Sequence, residues 1–137
     1  MRLRRKPKNS YERVREFHRV FNHPVGLAPS FPSPKKPMDT LRIALIEEEL
    51  QELKDALAND DIVGVADALG DLEYVVNGAA LVWGINLPEV VKEIHRSNMT
   101  KLGADGQPIY REDGKILKGE FYEKPNLERV LGLAIQG

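Results

Sequence analysis

The chain has 137 residues, 42% of them hydrophobic and 30% charged, with a formal net charge of −1 and no cysteine. Such a balance belongs to a folded chain with one core, and it excludes disulfides, thiolate zinc sites and a molecule-wide electrostatic footprint for nucleic acid. No run approaches the ~20 apolar residues of a membrane helix, so no membrane partner is expected.

The first eight residues, MRLRRKPK, carry five cations and lead into NSYERVREF rather than an apolar segment. Residues 1–9 therefore read as a disordered, solubilising basic end and not as a secretory signal, and a cytoplasmic location is expected. Nucleic acid is not expected as a partner. A single helical domain should occupy residues 10–137.

Asn9 and Glu12 have capping-box spacing and predict a first helix, YERVREFHRVF, ending before His23-Pro24. Five prolines in residues 24–37 predict an extended linker. Asp39 is the predicted cap of a second helix running to about Asn59, with Leu41, Leu45, Ile46, Leu50, Leu53 and Leu57 at a period near 3.6. Asp60 or Asp61 caps a third helix ending near Trp83-Gly84, with Gly84 as its C′ glycine. That helix is apolar almost all round, through Val65, Leu69, Leu72, Val76, Ala79, Ala80 and Trp83, and should be buried on several sides. Asn86, Pro88 and Glu89 open a fourth helix, LPEVVKEIHRSNMTKL, closed by Gly103.

Beyond it, Asp-Gly turns at 105 and 113 flank short alternating segments, predicting a small hairpin or irregular flap over residues 104–124. NLERVLGLAI predicts a short last helix. The fold class is all-α, an antiparallel four-helix-bundle-like core with that small appendage. The spare apolar face of the third helix predicts a homodimer, with a tetramer as the alternative.

The acidic residues interrupt this pattern. Residues 47–73 hold ten acids and one lysine, and IEEELQELKDAL packs Glu47, Glu48, Glu49, Glu52 and Asp55 into nine positions. Like charges three or four residues apart on a helix repel. At about 100° per residue, Glu48, Glu49 and Glu52 share one arc of the second helix, whereas Glu47 points outward. Asp67 and Asp71, spaced i and i+4, interrupt the apolar third helix, with Tyr74 and Gly78 continuing their stripe. A charge on a buried helix must be paired or bound to metal. Carboxylates converging from two helices make an all-oxygen ligand set, which suits Mg²⁺ first and Mn²⁺ second. A di-iron bundle would need Glu-x-x-His on paired helices, and none of His18, His23 and His95 follows a glutamate by three.

The order and spacing of EExxE at Glu48–Glu52, ADALGDLEYVV, EFHR at Glu16–Arg19, HRSNMTK at His95–Lys101 and DGK at Asp113–Lys115 resemble the MazG-like all-α NTP pyrophosphohydrolases, over roughly residues 10–130. That superfamily includes phosphoribosyl-ATP pyrophosphohydrolase and the dimeric dUTPases. The resemblance implies cleavage of a nucleoside triphosphate to the monophosphate and pyrophosphate with Mg²⁺ or Mn²⁺. It implies metal ligation by Glu49 and Glu52, by Glu48 as an additional glutamate, and by Asp71. The family's second motif is E-x-x-D, and here Ala68 stands three before Asp71; Asp67, on the same face, is the candidate replacement. Glu48 or Glu49 is the candidate general base for water attacking the α–β linkage. Arg96 and Lys101 are candidates for phosphate contact, Asn98 for sugar or phosphate, Phe17 and His18 for stacking on the base, and Lys115 for phosphate contact from the flap. His95 reads as a structural histidine, and Trp83 and Tyr74 as core. The competing reading is a non-catalytic helical dimer whose acidic groove docks a basic partner.

Overall fold

A computed structural model describes residues 5–133; the ends of the basic N-terminus and of the last predicted helix lie outside the described residues. The described residues are all-α, with five helices and two compact units, one ending at Ile85 and one beginning at Asn86. Among the described residues no single helix is long and apolar enough to cross a membrane.

In the first unit, α1 (Ser10–Val20) starts where the Asn9 side chain accepts the Glu12 N–H at 2.8 Å. Tyr11, Val14 and His18 form its buried face. Asn22 ends it in the left-handed conformation, φ 56°, which lets His23 N–H return to His18 O at 2.7 Å.

The proline-rich segment lies along the end of α3 (Ile62–Val82), where Gly26 N–H donates to Leu81 O and Ser30 N–H to Trp83 O. Those bonds satisfy carbonyls that the helix end would otherwise leave open. Gly84 closes α3 in the left-handed region, φ 68°, with Ile85 N–H on Ala80 O and its own N–H on Leu81 O.

The second helix, α2, spans Lys35–Ala58 and so begins four residues before the expected Asp39 cap. Pro37 causes no break because a first-turn residue has no intrahelical partner for its N–H. Asp39 lies inside the helix, pairs with Lys35 and accepts the Trp83 indole N–H at 3.2 Å. Asp61, not Asp60, caps α3, accepting Gly64 N–H at 2.9 Å.

The connection of residues 59–61 makes α2 and α3 antiparallel, and the contacts give their register. Asp39 meets Trp83, Arg42 meets Gly78, Glu49 and Glu52 meet Asp71, and Ala56 meets Gly64. α1 packs on α3, completing a helical bundle-like core. Ala68 and residues 77–82 of α3 are buried. Leu69 and Val76, expected to be covered on several sides, are exposed on this chain.

In the second unit, α4 (Leu87–Met99) ends three residues before the expected Leu102. There the Thr100 hydroxyl turns back to Ser97 O at 2.6 Å and accepts Glu123 N–H at 2.8 Å. The flap is a minimal hairpin: one antiparallel bridge joins Tyr110 to Ile116, and Gly114, φ 86°, makes the turn. Asn126 caps α5 (Leu127–Val130) by accepting Arg129 N–H.

Candidate metal centre

The α2–α3 register brings Glu49, Glu52 and Asp71 together, each with a carboxylate oxygen within 4.8 Å of the others. Glu49 and Glu52 lie one turn apart on α2, and Asp71 faces them from the antiparallel helix. Glu49 Oε2 is buried and meets no hydrogen-bond partner among the described residues. A carboxylate oxygen sealed from water without a donor is costly, and a cation is the species that removes the cost.

The electrostatics agree. Burial, followed by the Glu52 carboxylate at close range and the charges of Asp71 and Glu48, pushes the Glu49 carboxyl up to about 7. Burial and then the charges of Asp67 and Glu52 raise Asp71. No lysine or arginine forms an ion pair with these acids among the described residues. Three convergent carboxylates and an orphaned oxygen fit a hard divalent cation such as Mg²⁺ or Mn²⁺.

Glu48 and Asp67 stand outside the close trio and are exposed; each acts on it through charge. Position 68 is turned inward and only 1% exposed, so the methyl of Ala68 leaves three close carboxylates where a glutamate would add another. Glu47 is exposed, as expected from its angle.

One turn along α3 from Asp71, Tyr74 meets Phe17 edge-on at 5.7 Å between ring centres, and Phe17 also contacts Phe21 at 4.4 Å and His23 at 5.8 Å. Tyr74, read as core, is thus a partly exposed member of an aromatic cluster. His18 is buried, with Nδ1 2.9 Å from Pro24 O.

Two residues escape sequence reasoning. Arg42 is a buried arginine whose Nε has no partner among the described residues. Its signal was a cation among the apolar positions of α2, three before Leu45. The second is Glu93, in the unit beginning at Asn86. It is buried and accepts from Arg96, Arg129 and the Asn126 N–H, chiefly through Arg96, and its carboxyl falls to about 2. In that unit Arg96 spends its fork on Glu93 and Glu123 rather than standing free. Asn98 and Lys115 are exposed and Lys101 is half-buried.

Known proteins resemble the chain over much of its length. A model of the phosphoribosyl-ATP pyrophosphohydrolase family matches residues 14–98. An uncharacterized protein of Acanthamoeba polyphaga mimivirus is 33% identical over 116 residues, 83% of this chain; the chain spans 44% of that relative's length. The crystal structure of a candidate NTP pyrophosphohydrolase from Exiguobacterium sp. 255-15 is 27% identical, with 90% of this chain and 92% of that one covered and a TM-score of 0.47. Since the matched residues take in both acidic helices, the chain belongs to the phosphoribosyl-ATP pyrophosphohydrolase family.

Proposed function

We propose that the chain is a metal-dependent nucleoside triphosphate pyrophosphohydrolase, releasing pyrophosphate and a nucleoside monophosphate. The observation that carries this reading is the trio of Glu49, Glu52 and Asp71 with its orphaned buried oxygen. Those three side chains would hold Mg²⁺ or Mn²⁺, with Glu48 and Asp67 adding negative charge beside them. When bound, the cation supplies a Lewis acid that neutralises triphosphate charge and makes water a better nucleophile. Glu48, adjacent and exposed, is free to accept the proton of the attacking water, while Glu49 serves as ligand. The phosphate or sugar contacts of Asn98 and Lys101 are proposals that rest on the family resemblance, and the stacking role of Phe17 and a phosphate contact of Lys115 from the flap are proposals beside them. A housekeeping role in the nucleotide pool goes with them.

An acidic groove that only docks a basic partner has no use for a carboxylate oxygen sealed from solvent, so the catalytic reading is preferred. Pyrophosphate release from a panel of NTPs and dNTPs, with Mg²⁺, Mn²⁺ or EDTA, tests it. Activity should require the metal and fall at least ~100-fold in Glu49→Gln and Asp71→Asn, the scale of losing an electrostatic stabiliser. Full activity in both variants overturns the assignment.

A further inference from the structure

Arg42 and His18 form a polar pair inside the first unit that the chemistry at the carboxylates does not use. Each is 3% exposed. The carbonyl of Pro24 can only accept, so the His18 Nδ1 facing it carries the proton, and in the neutral ring Nε2 is left as an acceptor. Burial, more than the neighbouring cations, holds this histidine below its ordinary pKa and so keeps it neutral. Arg42 is the complement: a fork of donors whose Nε meets no acceptor and with which no carboxylate pairs among the described residues. Buried donors without acceptors are costly, and an arginine deep in a fold asks for oxygen.

Donor and acceptor converge on one point. A Cβ placed on Gly78 would lie 3.1 Å from Arg42 Nη1 and 3.2 Å from His18 Nε2. A methyl there would crowd both nitrogens, so glycine is what lets Arg42 and His18 pack side by side against α3. The pair also has a fixed relation to the metal centre. Arg42 precedes Glu49 by seven residues on α2, and Gly78 follows Asp71 by seven on α3. Seven residues are two turns, so both helices present these positions on the same face, about 10 Å along the axis from the carboxylates. Tyr74 lies one turn from Asp71 and one from Gly78, and half-exposed rings, Phe17 and Tyr74, line the interval. A nucleotide whose phosphates sit at the carboxylates carries its base a comparable distance away.

We propose that Arg42 and His18 read the nucleobase and select an edge on which a carbonyl oxygen stands beside a ring N–H. The guanidinium donates to the oxygen and His18 Nε2 accepts from the N–H. Guanine, hypoxanthine, uracil and thymine offer that edge. Adenine and cytosine offer the reverse, an amino donor beside a ring-nitrogen acceptor, which would set N–H against N–H and lone pair against lone pair. A site built to hydrogen-bond one pattern rejects the other strongly, because its own buried groups are left unpaired. The inference rests on the pyrophosphohydrolase reading and adds the substrate class to it.

The test uses the full chain with Mg²⁺ and two nucleotide pairs. Inosine and adenosine triphosphates differ only at the edge in question, and dUTP and dCTP differ in the same sense. kcat/KM should favour ITP over ATP, and dUTP over dCTP, by roughly 100-fold or more. Arg42→Met should bring both ratios to within about threefold of one, and His18→Phe should do the same. A wild-type protein that turns over ATP as well as ITP overturns the inference without any variant, so a misfolded mutant does not shelter it. Ratios that persist in folded Arg42→Met, or a variant that loses all four substrates equally with a lowered Tm, assign Arg42 to structure alone and also overturn it. Turnover of all four nucleotides without preference leaves the pyrophosphohydrolase standing and removes only the base reading. No turnover of any of them removes the pyrophosphohydrolase reading and this inference with it.

Discussion

At Glu49 burial and charge act in the same direction. Its carboxyl stands at about 7 in the folded chain against 4.5 when free. Between those values the folded state binds more protons than the unfolded one, so the metal-free protein loses stability as pH rises from about 4.5 to 7. A cation competes with those protons for the same oxygens, and its binding adds stability only to the folded state. The rise in Tm produced by Mg²⁺ or Mn²⁺ should therefore be small at pH 5 and grow through pH 7 to 8. Glu49→Gln should melt above the metal-free wild type at pH 8 and lose most of the metal response. Thermal melts across this pH range, with and without metal, check both; a metal shift that does not depend on pH would count against ligation by Glu49.

Between elements, what the sequence makes legible is the face on which a residue lies, not what comes to meet that face. The Asn9 and Asp61 caps and the Gly84 terminus are local, and the structure has all of them, whereas of the apolar set read on α2 Leu41, Leu50 and Leu57 are exposed and the helix buries Arg42 and Ala56 instead. Glu49, Glu52 and Asp71 were legible because a charge within an apolar pattern stands out. The start of α2 was misplaced because a proline in a helix's first turn looks like a break. Glu93 was invisible for a different reason: on the surface of an isolated α4 it is an ordinary acid, and only the returning tail makes it a buried one. There it ties α4 to α5, accepting from Arg96, Arg129 and the Asn126 amide. Since its folded carboxyl is held at about 2 against 4.5, that tie is fully present above about pH 4.5 and is lost as pH falls through 2. The Asn126 amide signal should accordingly titrate near pH 2 in NMR spectra. Glu93→Ala, which leaves two arginines facing an empty place, should expose the 123–133 segment to proteolysis at pH 7 without abolishing the melting of the first unit.

Across the molecule, the apolar residues left in water follow a pattern. Ile43, Leu50 and Leu57 recur every seven residues on α2, and Ile62, Leu69 and Val76 every seven on α3, all between 39% and 77% exposed. Single exposed apolar side chains need no explanation, but two heptad rows on adjacent antiparallel helices make a seam of the kind that buries itself against other helices. Gly70 lies beside Leu69 with nothing within 4 Å of where its Cβ would be, so a neighbouring backbone can come close there. A second copy of the chain would supply the complementary surface, because a twofold axis sets like rows against each other. Sedimentation equilibrium should accordingly give about twice the 15.4 kDa chain mass. Leu69→Lys places a charge in the middle of the seam and should shift the protein to monomer while helical circular dichroism is retained. Gly70→Ala distinguishes the same states by sign. On an isolated chain the added methyl meets nothing and should stabilise the helix by about 0.5–1 kcal/mol. In a close-packed dimer it should instead weaken association and lower Tm, and this second outcome is the expected one. A wild-type chain sedimenting at 15.4 kDa, stabilised by Gly70→Ala, would mean that the seam stays in water.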